Sequence, residues 1–244
     1  MVLFVTSSPY VNDADRAILS NDNAFIDRIR EVLPPNPRAL FIAADPENRD
    51  DTCHFGADTV GAFSEAGIAF QSYHILDGFN AGQAEALIQD SDLIFLSGGH
   101  VPTQAAFFRE IALDALLQDF PGVVMGISAG SMNMAQTVYA QPEEPGEGID
   151  PDYVRFFPGL DLTEVNVLPH YQKVKNDTVD GLRLFEDITL PDSQGRCFFA
   201  IPDGSYFYQD EGCLLLYGES YLVRDGVLSP LTQDGEILDM EHFE

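Results

Sequence analysis

The sequence predicts an α/β protein: a three-layer α/β/α sandwich on a mostly parallel, doubly wound sheet, with antiparallel strands added toward the C-terminal end. Three observations carry this. Short β-branched and aromatic runs alternate with helix-patterned segments through the first half. Several of those runs are apolar without alternation, as parallel strands covered on both faces must be. The stretch from Arg196 onward is strand-rich, and its "DEG" and "RDG" turns offer a glycine where a hairpin needs a positive φ.

In chain order, "VLFVTSS" (2–8), "ALFIAA" (39–44), "IAFQSYHI" (68–75), "LIFLSGG" (93–99) and "VVMGIS" (123–128) read as strands. Between them, "NAFIDRIREVL" (23–33), "GADTVGAFSEAG" (56–67), "GQAEALIQ" (82–89) and "TQAAFFREIALDALLQDF" (103–120) place apolar residues at three- and four-residue spacing, the mark of crossover helices. The acidic, Pro- and Gly-rich "QPEEPGEGIDPD" (141–152) reads as a surface loop. "EVNVLPHY" (164–171) reads as a further strand and 176–187 as a helix. With no repeat and no linker long enough to divide it, the chain is expected to form one domain over 1–244.

Composition narrows the function. The 244 residues carry 40 acidic and 12 basic side chains, for a net charge of −28. Such a field repels nucleic acid and anionic membranes, which excludes both as main partners. An acidic surface with only two lysines, Lys173 and Lys175, fits a salty habitat or plain solubility alike. Cys53, Cys197 and Cys213 form neither a disulfide framework nor a metal spacing and are expected to be small buried hydrophobes. The first residues are strand-like rather than leader-like, and no apolar run approaches the roughly 20 residues that span a bilayer. A cytoplasmic protein is the expectation.

Chemistry concentrates around "GISAG" (126–130). G-x-S-x-G between a strand and a helix sets serine on a sharp turn at the carboxyl end of a strand, with flanking glycines because a Cβ there would strike neighbouring backbone. Ser128 is therefore the candidate nucleophile. Among the histidines, His74 lies in a strand pattern and reads as a core residue, while His54 and His242 read as surface residues. His170 ends "NVLPH" at the carboxyl end of a strand, where it can reach Ser128 as general base. Asp203, in the "PDG" break of an apolar stretch, is a candidate orienting acid, with Asp150, Asp152 and Asp161 as rivals. The glycines of "LSGGH", Gly98 and Gly99, with the amide of Ala129, are candidate oxyanion donors.

Together, "FLSGGHVPTQ", "GISAGSMNMA", "VLPHY" and "AIPDGSY" resemble the peptidase E family of aspartyl dipeptidases, which also includes cyanophycinase. The resemblance runs through most of the chain. It implies a fold like class I glutamine amidotransferase domains, with serine where those enzymes carry cysteine, and a triad in the order Ser128, His170, Asp203. That order favours Asp203 over the earlier aspartates. Two departures stand out: His100 occupies a place usually held by Asn, next to the oxyanion site, and Asp203 stands where peptidase E has a glutamate.

The expected activity is serine peptidase action on small peptides, of the dipeptidase or exopeptidase kind, through an acyl-enzyme with no metal or organic cofactor. A preference for N-terminal aspartate would draw on His100, Lys173, Lys175 and Arg183 as tentative substrate-binding residues. The partners expected are a small peptide substrate and, as assembly, a homodimer. Competing readings are an α/β-hydrolase-type esterase, whose acid would lie between Ser128 and His170, and an inactive ligand-binding homologue.

Overall fold

The computed structural model describes residues 1–13, 16–241 and 243. Among them, five strands run parallel: β1 (Val2–Thr6), β2 (Arg38–Ile42), β3 (Ser72–Leu76), β4 (Leu93–Leu96) and β5 (Val123–Ile127). Two short strands, β6 (Val167–Leu168) and β7 (Cys197–Ala200), follow. The later strands of the two larger sheets are β8 (Tyr206–Asp210), β9 (Cys213–Tyr217), β10 (Ser220–Arg224), β11 (Val227–Thr232) and β12 (Ile237–Asp239). The central sheet has the order β12-β9-β8-β1-β5-β4-β2-β3, its last five members parallel and β8, β9 and β12 antiparallel. A second sheet has the order β6-β7-β10-β11.

Strand period sets the layers. Leu3, Val5, Leu40 and Ile42 point to one face and pack in a core shared with Phe107, Leu113 and Met132. These come from α4 (Val101–Glu110), α5 (Leu113–Leu117) and α6 (Ala129–Asn133), which follow α3 (Ala84–Gln89). Phe4, Ala39, Phe41 and Phe95 point the other way, against Phe25 and Ile29 of α1 (Phe25–Val32) and Phe63 of α2 (Arg49–Glu65). Helices thus cover both faces, so the parallel strands carry apolar side chains at nearly every position. A third, smaller core gathers Leu168, Phe185, Phe198 and Val223 beneath the second sheet.

This topology delivers the candidate residues. β1 lies between β5 and β8, so the carboxyl end of β1 touches the turn after β5. β6 and β7 run parallel with Leu168 opposite Ala200, and Tyr171 N donates to Ile201 O at 3.2 Å. The segments carrying His170 and Asp203 therefore leave one sheet side by side.

Several elements differ from expectation for physical reasons. Helix α2 begins at Arg49 rather than Gly56, because the Asn48 side chain caps it by accepting the Asp51 amide, while its first turns stay polar. The segment 103–120 is two helices, broken at Ala112 (φ 50°). The helix expected at 176–187 is instead a hairpin, Thr178–Val179 with Leu182–Arg183, leading into a π-helical turn over Leu184–Thr189. Asp180 (φ 54°) and Gly181 (φ 82°) supply the two left-handed residues of its turn. Residues 68–71 lie outside β3, and 164–171 contributes only Val167–Leu168 to a strand. His74 is exposed because β3 is an edge strand, and Cys53 is exposed on the polar start of α2, with Cys197 and Cys213 half-buried at strand starts. His54 is on the surface as expected, and His242 lies outside the described residues. Among the described residues no helix is long and apolar enough to cross a membrane.

Candidate active site

Ser128 joins β5 to α6 with φ 53° and ψ −114°, a conformation that non-glycine residues adopt only under constraint. The constraint is visible. Its amide donates to Ser7 O at 3.0 Å and Thr6 O at 3.2 Å, both at the end of β1. A Cβ on Gly130 would stand 2.0 Å from Leu96 O, and one on Gly126 would stand 2.6 Å from the Ser131 backbone. The glycines of "GISAG" are therefore required by close backbone approach.

His170 reaches Ser128 from the β6 side. Its Nε2 lies 2.9 Å from Ser128 Oγ and its Nδ1 2.6 Å from Asp203 Oδ1. An ionised carboxylate only accepts, so Nδ1 carries the proton donated to Asp203 and Nε2 is left to accept from the Ser128 hydroxyl. Asp203 Oδ1 also accepts from Ser7 Oγ at 2.8 Å, and Oδ2 pairs with Lys173 Nζ at 2.6 Å. Burial alone would raise the Asp203 pKa, but the hydrogen bonds from His170, Lys173 and Ser7 outweigh it and hold the carboxyl well below the usual range. The rivals Asp150, Asp152 and Asp161 are exposed and do not contact His170.

On the far side of Ser128, a Cβ on Gly98 would lie 3.4 Å from Ser128 Cβ, and one on Gly99 would lie 2.5 Å from Ala44 Cβ. Neither glycine amide has a protein acceptor among the described residues. The Ala129 amide, first in its helix, has no intrahelical acceptor. Gly98 and Ala129 adjoin the nucleophile, and none of these three amides has a backbone acceptor among the described residues.

The remaining predicted residues are committed elsewhere. Lys173 is the partner of Asp203, Lys175 Nζ lies 5.9 Å from the centroid of the Tyr171 ring, and Arg183 clamps Asp187 through Nε at 2.9 Å and Nη2 at 2.5 Å. His100 bonds Thr103 Oγ1 at 2.7 Å through Nδ1 and Glu147 Oε1 at 2.8 Å through Nε2. Glu147 Oε2 accepts the amides of Glu143 and Glu144 at 2.8 and 2.9 Å. Burial works to raise Glu147, yet those amides and His100 keep it below its ordinary value. Glu143 is exposed, and partial desolvation of its carboxyl works to raise it against the attraction of His100 and His170. His100, Glu144 and Glu147 bring potential metal-ligand atoms within 4.8 Å of one another. The His100–Glu147 hydrogen bond and the two amides already engage much of that set.

The sequence profile of peptidase family S51 matches residues 3–211, a span that holds Ser128, His170, Asp203 and both glycine segments. The chain belongs to peptidase family S51. It is accordingly a serine-type peptidase. A crystal structure of a protein described as a candidate peptidase E, from Listeria monocytogenes EGD-e, shares the fold, with a TM-score of 0.57 and 16% identity over 95% of this chain and 98% of that one. A search of curated proteins gives no match. Sequence reasoning on this S51 peptidase overlooked Ser7, Glu147 and Gln172, whose Oε1 accepts the Asp203 amide at 3.1 Å. For Ser7 a signal existed: "VTSS" ends the first strand in hydroxyl residues at the sheet's carboxyl edge.

Proposed function

We propose that this S51 peptidase hydrolyses short peptides through Ser128 as nucleophile, His170 as general base and acid, and Asp203 as the orienting carboxylate. The observation that supports this most strongly is the unbroken chain from Ser128 Oγ to His170 Nε2 at 2.9 Å and from His170 Nδ1 to Asp203 Oδ1 at 2.6 Å. As Oγ attacks the scissile carbonyl carbon, its proton passes to Nε2 and the carbonyl electrons move onto oxygen. That oxygen is received by the amides of Gly98, Gly99 and Ala129. The intermediate collapses as His170 returns the proton to the leaving amine, which leaves an acyl-Ser128 ester. Water, deprotonated by the same Nε2, then cleaves the ester and restores the hydroxyl. Protein groups and water balance every step.

An esterase acid between Ser128 and His170 finds no support, since His170 Nδ1 is engaged by Asp203. Free thiols without a disulfide framework fit a reducing cytoplasm. The test is a dipeptide panel run with wild type and Ser128→Ala at equal concentration. Loss of all hydrolysis in the variant supports the reading, and retained hydrolysis overturns it.

A further inference from the structure

The diglycine beside the nucleophile is fastened at both ends. On one side, Ser97 donates to Ile42 O through its amide at 3.2 Å and its hydroxyl at 2.8 Å. On the other, His100 O accepts the Gln104 amide at 3.1 Å, and the His100 ring is held at both nitrogens. An ionised Glu147 can only accept, so Nε2 carries the proton of the 2.8 Å bond to Glu147 Oε1. Nδ1 is then left to accept from Thr103 Oγ1 at 2.7 Å, and the tie works with a neutral ring. Between these anchors, Gly98 and Gly99 have no side chain to restrict them and no backbone acceptor for their amides among the described residues. What holds the ends sets the direction of those amides.

Glu147 is turned inward. Its side chain is 14% exposed, while Glu143, Glu144 and Asp150 of the same loop are exposed. A carboxylate taken out of water costs stability unless donors surround it. Three do: His100 on Oε1, and the amides of Glu143 and Glu144 on Oε2. The 141–152 loop is thus folded around the same carboxylate that grips His100. Asp180 holds the loop separately, accepting the amides of Gly146 at 2.8 Å and Gly148 at 3.0 Å.

We propose that Glu147 and His100 are positioning residues for the reaction: the Glu147 carboxylate fixes the His100 ring, and the ring fixes the path of the Gly98 and Gly99 amides that receive the oxyanion. The inference rests on Ser128 being the nucleophile, since only then do those amides meet a reacting carbonyl. Both side chains act through the glycines. An oxygen gains its full charge only in the transition state, and a donor displaced by about 1 Å can cost on the order of a hundredfold in rate. Loss of the tie therefore belongs in kcat rather than in KM.

The test measures kcat and KM on the dipeptide that wild type cleaves fastest, with the fold of each variant checked by urea unfolding. EDTA in every assay keeps metal from bridging His100, Glu144 and Glu147. Glu147→Ala and His100→Ala are each expected to lose on the order of tenfold to a hundredfold in kcat, with KM within about threefold of wild type. The double variant should be no slower than the slower single, because the two side chains act as a unit. Glu147→Gln keeps an acceptor for the two amides and a hydrogen-bonding group for the ring, and should recover part of the loss. Asp180→Ala loosens the same loop without touching the tie, and its kcat should stay within about threefold of wild type. Wild-type kcat in either single variant, losses that add in the double, or an equal loss in Asp180→Ala overturns the inference. If Glu147→Ala does not fold, His100→Ala decides: a fall in kcat at unchanged KM upholds the tie, and wild-type kcat overturns it. The nucleophile is judged separately: hydrolysis that survives Ser128→Ala sinks the catalytic reading, whereas full dependence on Ser128 with wild-type kcat in Glu147→Ala sinks only the tie.

Discussion

The buried hydroxyl of Ser7 donates to Asp203 Oδ1 at 2.8 Å, the same oxygen that receives His170 Nδ1. That hydroxyl also accepts the His170 amide at 2.7 Å, while the Ser7 carbonyl accepts the Ser128 amide. One residue at the end of β1 thus touches all three members of the candidate triad. Its position follows from the sheet order, which sets β1 between the strand that leads to Ser128 and the strand that follows Asp203.

Ser7→Ala removes the tie without touching substrate. Its kcat should fall on the order of tenfold to a hundredfold, through loss of alignment, with KM little changed. Ser7→Thr keeps a hydroxyl and should recover part of the loss. A Ser7→Ala enzyme with wild-type kcat would show that Ser7 has no positioning role.

Asp203 leads to a prediction about acid stability. Its folded pKa lies below the unfolded value, so folding favours the ionised form. The stability this contributes is fully present above the ordinary carboxylate pKa and is lost as pH falls through that value toward the lower folded one. Urea unfolding of wild type and Asp203→Asn between pH 6 and pH 2.5 should therefore show the wild type losing stability more steeply. Lys173→Met should lie between them, since it removes one of the groups holding Asp203 ionised. Parallel curves for all three proteins would contradict the pairing.

Gly130→Ala tests the elbow. The added methyl would sit 2.0 Å from the Leu96 carbonyl oxygen, and backbone on both sides must shift to admit it. A loss exceeding about 3 kcal/mol in urea unfolding is expected, at the upper end of overpacking costs. Gly82→Ala, where nothing lies within 4 Å of the new methyl, is the control and should be nearly neutral.

What the sequence made legible was largely local. The elbow could be read because Gly126 and Gly130 answer a steric demand set within five residues, and His170 because Pro169 and a short strand bring it to a sheet end. The parallel strands could be read because helices on both faces make them apolar throughout. Ser7 was legible only in part: "VTSS" puts hydroxyls at a sheet end, but which residues they meet depends on β1 lying between β5 and β8, a relation no local pattern encodes. Lys173, Lys175 and Arg183 were candidates for substrate binding because they follow His170 closely in sequence, yet each side chain turns to a different neighbour. The hairpin at 178–183 was hidden by helix-like spacing, although "VDGL" carries the turn signal outright.

The central claim is that Ser128 Oγ is a nucleophile activated by His170. The most direct measurement is intact-protein and peptide mass spectrometry after treatment with a fluorophosphonate. The wild type should gain one adduct, mapped to Ser128, while folded Ser128→Ala gains none and folded His170→Ala reacts at least a hundredfold more slowly. A folded wild type that stays unlabelled, or carries its adduct on another residue, would contradict the account.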